Sequence, residues 1–294
     1  MRARSSSRQN SPAVIDEDPV HEAVHRALAE DLGEASDMTT EAIVPSGVAG
    51  RARLIAKQEA VLAGSEAFAL AIREFDHDLE IVWNAKDGDR VSAGDEVAVL
   101  EGLLSAILTG ERTALNFLQR LSGIATLTRR FVEVAGKAEI RDTRKTTPGL
   151  RNLEKAAVRA GGGTNHRMGL HDAYLIKDNH IAVAGGVAEA VRRARSARPT
   201  TWIEVECESL DQVREALETE ANELLLDNMD PATLREAVRL AKGRARTEAS
   251  GGITLDTVAE IAATGVGSIS IGALTHSAPA VDFSLEVEPD APRR

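Results

Sequence analysis

The sequence predicts an α/β protein, with a smaller N-terminal α+β domain followed by an incomplete, irregular α/β barrel. The chain has 294 residues, enough for two domains. Its second half repeats a short β-rich run, a polar or glycine cluster and a helical pattern, which is typical of parallel βαβ units. The first half lacks this rhythm. The final four runs end at Glu206, Asp227, Ser250 and Gly272, which are 21, 23 and 22 residues apart. Each step is about the length of one strand and one helix.

The N-terminal half opens with a helical pattern in "DPVHEAVHRALAEDLG". Asp18 is its predicted N-cap, Pro19 its first helical residue and Gly33 its end. "GRARLIAKQEAVLAG" alternates like a pair of strands, and "SEAFALAIREF" is typical of a helix capped by Ser65. Two more strands are expected around the turns of "LEIVWNAKDGDRVSAGDEVAVLEG". No recognisable chemistry lies in this half.

A long apolar stretch, "LLSAILTGERTALNFLQRLSGIATLTRRFVEVAG", predicts two helices with a break near Ser122 and Gly123. Six β-rich runs follow: "EIRDTRK", "YLIKDN", "WIEVECE", "ELLLDN", "RTEASGG" and "SISIGAL". An open doubly wound sheet would show the same alternation, but its ligands gather at one switch point. Almost every run here ends in a polar residue or glycine, which favours a barrel with its site at the strands' carboxyl ends. Six strands are too few for a complete eight-stranded barrel.

The change of pattern sets the predicted domain boundaries. Residues 1–17 are rich in Arg and Ser and lack the apolar region of a secretory signal, so we expect a disordered tail. The N-terminal domain is placed at residues 18–115 and the barrel at residues 116–275. A C-terminal segment, residues 276–294, is expected to return to the N-terminal domain.

The composition narrows the function. The chain has 46 acidic and 35 basic residues and a formal net charge of -11, which argues against a nucleic-acid or membrane-surface binder. No apolar run approaches the roughly 18 residues of a membrane-spanning helix. A single cysteine, Cys207, excludes an intrachain disulfide and fits a reducing compartment. We therefore expect a cytoplasmic protein with a small-molecule partner.

Positive charge is nevertheless concentrated in one window. Residues 141–180 contain 8 Lys or Arg against 4 Asp or Glu, and three of the seven histidines. For Arg151, Lys155 and Arg159 a solvated helix face is an equally good interpretation. The others adjoin strands or glycine-rich turns, where loops place anion-binding groups: Arg144, Lys145, His166, Arg167 and Lys177. Such a cluster indicates a polyanionic substrate, or two anionic substrates bound together.

The last two strand ends predict a phosphate-binding turn. In "EASGGI", Ser250, Gly251 and Gly252 precede a helical pattern, and Gly272 follows the next strand. Glycines let backbone N–H groups approach an anion, and a helix N-terminus favours negative charge. Two ordinary strand-to-helix turns are the alternative.

Two carboxylates, Glu206 and Asp227, end consecutive strands. The alternation of "WIEVECE" puts Glu204 and Glu206 on one face and Ile203 and Val205 on the other. A buried carboxylate is costly unless it meets a cation. Mg²⁺ on a phosphorylated substrate, or a developing positive charge, would supply one. An ion pair with a Lys or Arg of the barrel is the alternative.

These motifs together resemble the quinolinate phosphoribosyltransferases, the carboxylating nicotinate-nucleotide pyrophosphorylases. The resemblance rests on "DTRKTTPGLRNLEKAAVRAGGGTNHRMGLHDAYLIKDNH", on "ERTALNFLQRLSGIAT" before it, and on "LLLDN", "EASGGI" and "SIGAL" after it. It extends over residues 18–285. It implies a pentosyltransferase of NAD biosynthesis that joins quinolinate to 5-phosphoribosyl-1-pyrophosphate, using Mg²⁺ and no organic cofactor. The implied products are nicotinate mononucleotide, pyrophosphate and carbon dioxide.

The resemblance also implies an N-terminal α+β domain, an incomplete barrel and a homodimer whose active sites are completed across the interface. By this resemblance Arg144, His166 and Arg167 hold the two carboxylates of quinolinate. Arg112, in "GERTALN", reaches in from the partner subunit.

Catalytic roles follow from the same resemblance. Lys145 and Lys177 line the anionic pocket, while Glu206 and Asp227 face the ribose and Mg²⁺, directly or indirectly. By the same resemblance the glycine turns bind the 5-phosphate through Ser250, Gly251 and Gly272.

Two other functions stay open at this point. A related phosphoribosyltransferase for nicotinate or another acid would keep the phosphate turn but lack part of the Arg and His set. A non-catalytic phosphosugar-binding barrel could keep Ser250 and Gly272 but would have little use for Glu206 and Asp227. The presence of both sets favours the dicarboxylate enzyme.

Overall fold

The computed structural model describes residues 18–289; the predicted tail, residues 1–17, and residues 290–294 lie outside this range. The N-terminal part contains, in chain order, α1 (Pro19–Leu32), α2 (Met38–Ile43), β1 (Ala49–Ala56), β2 (Ala60–Val61), α3 (Ser65–Arg73), β3 (Glu80–Trp83), β4 (Arg90–Val91) and β5 (Glu96–Leu103). Then come α4 (Leu104–Ala135), β6 (Glu139–Arg141), α5 (Arg151–Ala160), β7 (Tyr174–Ile176), α6 (Asp178–Ala184), α7 (Val187–Ala197), β8 (Ile203–Cys207), α8 (Leu210–Leu217), β9 (Glu223–Asp227), α9 (Pro231–Ala241), β10 (Arg246–Ser250), α10 (Val258–Ala262), β11 (Ser268–Ser270), α11 (Ala273–His276) and β12 (Phe283–Pro289).

Helix α1 forms as the sequence predicts. The Asp18 carboxylate accepts a hydrogen bond from the backbone N–H of Val20, Pro19 occupies the first turn, and Gly33 ends the helix at φ 56°. The cap expected at Ser65 is wrong, because Gly64 in the left-handed conformation precedes α3. The Gly64 N–H instead donates to Asp87.

The N-terminal sheet is antiparallel, with strand order β12-β1-β5-β3. The final strand β12 pairs with β1, so the end of the described chain lies in the N-terminal sheet. Strands β1 and β2 both form, but they do not pair with each other as expected: β2 pairs with β4 in a separate two-stranded ribbon. The tertiary partners of a strand, rather than its nearest neighbour in sequence, decided this pairing.

Helix α4 is one continuous helix of 32 residues, so the predicted break at Ser122 and Gly123 is wrong. Gly123 lets the backbone at Pro279 pack closely against α4, because a Cβ at residue 123 would lie 2.1 Å from the carbonyl oxygen of Pro279. The buried Ser122 hydroxyl accepts from the N–H of Ala63 and donates to its carbonyl. α4 contacts α3 and the N-terminal strands on one side and α5 and β6 on the other. The boundary predicted at residue 115 falls inside it.

The C-terminal part is a six-stranded parallel sheet with order β6-β11-β10-β9-β8-β7. All six predicted runs form its strands. β6 and β7 are its two edge strands and do not pair with each other, so the barrel is not closed, as predicted. The carboxyl ends of all six strands meet at one rim. Within residues 18–289, no helix has both the length and the apolar character to cross a membrane.

Candidate active site

A cavity of about 810 Å³ lies at the rim where the parallel strands end. It is lined by the ends of β6, β7, β8, β9, β10 and β11 and by the loops that follow them. Apart from Arg112, the structure brings all the predicted site residues together on its wall: Arg144, Lys145, His166, Arg167, Lys177, Glu206, Asp227, Ser250, Gly251 and Gly272.

Arg112 lies elsewhere on the molecule. It projects from α4, is exposed to solvent and does not line the cavity of its own chain. Its entry into the site of a second subunit therefore stays a prediction.

One wall of the cavity is cationic and comes from the loops after β6 and before β7. Arg144 and Lys145 are exposed, and Arg167 is half-buried with its Nη1 donating to the carbonyl of Ala173 at 3.0 Å. Burial, and then the charge of nearby Arg144, lower the pKa of Arg167. The ion pairs of the cavity wall involve His166 and Lys177; within residues 18–289 none of these other three cations pairs with a carboxylate. Such a wall is suited to an anionic ligand.

A buried ion pair holds this wall in place. Asp142 and Lys155 are both fully buried and bond to each other, and Lys155 Nζ also donates to the carbonyl of His166 at 2.8 Å. The Asp142 carboxylate accepts from Asn165 Nδ2 and from the His166 N–H at 2.9 Å. Burial raises the pKa of Asp142 and lowers that of Lys155, against their mutual attraction. The solvated-face interpretation of Lys155 is therefore wrong.

Arg151 belongs to the same brace. Its guanidinium donates to the Thr146 hydroxyl at 3.0 Å and to the carbonyl of Met168 at 3.0 Å, which joins the two cationic loops. Arg159 is exposed and contacts the Asn165 side chain. A helix-face interpretation thus fits only Arg159 of these three residues.

His166 lies on the floor of the cavity with both ring nitrogens engaged. Nε2 lies 2.9 Å from Glu204 Oε2 and 3.6 Å from Glu248 Oε1, and Nδ1 accepts the backbone N–H of Arg167 at 2.8 Å. Burial disfavours protonation, but the two carboxylates raise the pKa of His166 above its usual value. A second proton would have to occupy Nδ1 and displace the Arg167 N–H. The Nδ1 contact therefore places a proton on Nε2, where it faces Glu204.

Beneath His166 lies an acidic cluster that sequence reasoning did not single out. Arg141 Nη1 bonds to Glu248 Oε2 at 2.6 Å and to Glu223 Oε1 at 2.9 Å. The Oε1 atoms of Glu204 and Glu248 are buried without a hydrogen-bond partner. Burial, and then the charge of Glu204, raise the pKa of Glu248, so this carboxyl group takes up a proton more readily than usual. The alternation of "WIEVECE" predicts the face of Glu204 but gives it no role, whereas no sequence pattern marks Arg141, Glu223 or Glu248.

The opposite wall is acidic. Glu206 bonds to Lys177, so the alternative of an ion pair within the barrel is realised there. As the alternation predicted, Glu204 and Glu206 both face the barrel interior. Carboxylate oxygens of Glu206, Glu208 and Asp227 lie within 4.8 Å of one another. Oxygen donors at this spacing fit a hard divalent cation such as Mg²⁺, which keeps part of its water shell.

The glycine turns close the third side. Gly251 has φ +104°, and a Cβ there would lie 2.1 Å from Asn228 Oδ1. Gly272 has ordinary backbone angles, but a Cβ there would lie 3.0 Å from Lys145 Cδ and 3.2 Å from His276 Nε2, both of which are cavity-lining residues. The helix expected directly after Gly252 begins only at Val258, so no helix N-terminus adjoins that turn.

The cavity also includes residues that the sequence did not mark as ligands. Asn228 could have been found, because it directly follows Asp227 in "LLLDN". No local pattern marks several other lining residues, among them Thr143, Leu175, Thr254, Ser270 and His276.

An open parallel α/β barrel with cations, carboxylates and glycine turns at its strand ends defines a class: barrel enzymes that bind phosphorylated, anionic ligands. The family is more specific. Residues 37–122 match the quinolinate phosphoribosyl transferase N-terminal domain, and residues 124–286 match the C-terminal domain of the same family. The chain belongs to the quinolinate phosphoribosyltransferase family.

Relatives agree with this assignment. The chain is 42% identical over 286 residues to quinolinate phosphoribosyltransferase [decarboxylating] 2 of Nicotiana glauca, covering 91% of this chain and 82% of the relative. It is 45% identical over 261 residues to the probable nicotinate-nucleotide pyrophosphorylase [carboxylating] of Bacillus subtilis, covering 88% and 90%. The solved nicotinate-nucleotide pyrophosphorylase of Francisella tularensis superposes with a TM-score of 0.89 at 40% identity, covering 92% of this chain and 96% of that one.

Proposed function

We propose that this chain transfers phosphoribose from 5-phosphoribosyl-1-pyrophosphate to quinolinate with decarboxylation. The products are nicotinate mononucleotide, pyrophosphate and carbon dioxide. The family and the names of its relatives support this activity. The central structural observation is that one cavity has an acidic wall and a cationic wall, whose Arg144, Lys145 and Arg167 pair with no carboxylate of residues 18–289. Quinolinate is a dianion, so it suits the first wall, while an electron-poor sugar carbon suits the second.

The chemistry follows from this division. Arg144 and Arg167 hold the substrate carboxylates, and Lys145 adds a further positive charge to the pocket. The pyridine nitrogen forms a bond to the anomeric carbon while the bond from that carbon to pyrophosphate breaks. Positive charge develops on the ribose in between, and Glu206 and Asp227 stabilise it electrostatically. To bind a substrate carboxylate through a ring nitrogen, His166 would have to give up its contact with Glu204 or with the Arg167 N–H.

Decarboxylation uses the charge created in the first step. Once the ring nitrogen is quaternary, the bond from C2 to its carboxylate breaks, and the electron pair stays on C2 as an ylide. A proton from solvent then replaces carbon dioxide. Ser250, Gly251 and Gly272 hold the 5-phosphate so that the sugar does not move between the two steps.

Mg²⁺, the dimer and the location are parts of this proposal. Glu206 and Asp227 would hold Mg²⁺, with Glu208 near enough to assist, and the ion would neutralise the departing pyrophosphate. We expect no organic cofactor. A homodimer would bring Arg112 to the partner's cavity, and we expect it to work in the cytoplasm.

Incubation of the pure protein with quinolinate, donor and Mg²⁺ tests the function. We expect nicotinate mononucleotide, detected by mass spectrometry, with equal amounts of pyrophosphate and carbon dioxide. Nicotinate in place of quinolinate is the control acid, because it has a single carboxylate for the cationic wall. Product from nicotinate alone would contradict the proposal.

Subunit exchange tests the shared site. Arg112→Ala and Lys177→Ala should each be inactive as homodimers, while a mixture should regain about a quarter of wild-type activity. Half of randomly mixed symmetric dimers are hybrids, and each hybrid has one intact site of two. Exchange is verified by native mass spectrometry with one subunit isotope-labelled. Hybrid dimers without activity would show that Arg112 does not complete the partner's site.

A further inference from the structure

Asn228, the residue after β9, has an unusual backbone. Its φ is 54°, in the left-handed region that most non-glycine residues avoid and that Asn enters more readily than most. Within residues 18–289, Ser36 with φ 62° is the other non-glycine residue there. Strained backbone of this kind persists where surrounding contacts fix it, and it is frequent at functional sites. Asn228 lines the cavity and is exposed, so burial in a core does not explain its conformation.

The contacts of Asn228 join two different parts of the site. Its side-chain Nδ2 donates to Asp227 Oδ2 at 2.6 Å, and its backbone N–H donates to the carbonyl of Ser250 at 2.9 Å. Asp227 is a candidate acidic ligand for the ribose and metal, and Ser250 belongs to the phosphate turn. One residue thus contacts both the acidic wall and the phosphate turn.

Gly251 completes this arrangement from the other side. An added Cβ would lie 2.1 Å from Asn228 Oδ1 and 2.9 Å from the Asn228 backbone nitrogen. The missing side chain of Gly251 therefore leaves the space that the Asn228 carboxamide occupies. The glycine has a second role besides admitting an anion: it allows the amide to reach Asp227.

We propose that Asn228 is a positioning residue that orients the Asp227 carboxylate relative to the phosphate turn. This inference rests on the proposed function and deepens it. The amide donates to one oxygen of Asp227, which fixes the rotation of the carboxylate and leaves the other oxygen for ribose or Mg²⁺. Because the same residue is bonded to Ser250, the position of the sugar phosphate and the direction of the carboxylate are set together.

Two variants of Asn228 separate positioning from folding. Asn228→Gly keeps the left-handed backbone without strain but removes the amide. Asn228→Asp keeps the shape, loses the donor and places a like charge beside Asp227. Ser36→Gly is the matched control, because it makes the same relief of left-handed strain on an exposed loop outside the cavity.

We expect Asn228→Gly and Asn228→Asp to lower kcat by about 10- to 150-fold, the range for one hydrogen bond to a charged group. The KM for quinolinate should stay within a few-fold of wild type, and the thermal midpoint of Asn228→Gly should not fall. Gly251→Ala should lower kcat similarly, because its Cβ displaces the carboxamide. Ser36→Gly should keep wild-type kinetics. A wild-type kcat in Asn228→Gly would overturn the inference.

A binding measurement distinguishes this inference from the proposed function. The donor 5-phosphoribosyl-1-pyrophosphate with Mg²⁺ should raise the thermal midpoint of wild type, and Asn228→Gly should need at least several-fold more Mg²⁺ for the same rise. If wild type binds the donor but does not convert quinolinate, the proposed function fails and this comparison still tests Asn228. An identical Mg²⁺ dependence in wild type and Asn228→Gly would refute the positioning role.

Discussion

Arg144→Ala is expected to lower kcat/KM for quinolinate by about 10- to 150-fold, because a lost charge-assisted hydrogen bond costs about 1.5–3 kcal/mol. The loss should be larger if both guanidinium contacts to the substrate carboxylates disappear. Arg144 is exposed on the cavity wall, and no carboxylate within residues 18–289 pairs with it, so fold stability should change little. Steady-state kinetics at saturating donor measure the effect.

The control for this variant is Arg235→Ala. Arg235 is exposed on α9 and does not line the cavity, so its replacement removes one positive charge without touching the site. Its kinetics should match wild type, which excludes a general effect of net charge. Normal turnover and normal affinity for quinolinate in Arg144→Ala would show that the carboxylate assignment is wrong.

Asp142→Ala is expected to lower the free energy of unfolding by about 3–5 kcal/mol, the usual cost of removing one partner of a buried ion pair. The Lys155 ammonium, which is fully buried, would lose its counter-ion, and the His166 N–H would lose its acceptor. Urea unfolding with linear extrapolation measures this change.

The double variant Asp142→Ala/Lys155→Met separates charge from packing. Methionine fills most of the lysine volume without a charge, so the double variant should be more stable than Asp142→Ala alone. Equal destabilisation of the single and double variants would mean that the unpaired ammonium is not the cause.

Much of the barrel could be predicted because the relevant signals are local. Each strand is a short β-rich run, and almost every run ends in a polar residue or glycine. Parallel strands place such ends at one rim, so Glu206, Asp227, Ser250 and Gly272 could be grouped from their spacing alone. The structure places these four around one cavity, the two carboxylates on its acidic wall and the other two residues at the glycine turns.

The errors also have a physical cause. Glycine has poor helix propensity, so Gly123 predicts a helix break, but the residue is needed where the chain at Pro279 packs against α4. Lysine is rarely buried, so the sequence does not distinguish a buried Lys155 from a solvated one, yet Asp142, directly after β6, pairs with it in the interior. In both cases the deciding partner lies far away or on another element.

The sequence by itself predicts the six strands of the barrel, the residues at which they end and the excess of positive charge after β6. These properties depend on backbone preference and on neighbours a few positions apart. Only the tertiary structure shows that β6 lies beside β11, that Glu206 bonds to Lys177 and that Asn228 packs against Gly251. Such choices depend on distances and burial between segments remote in the chain, and no local pattern contains them.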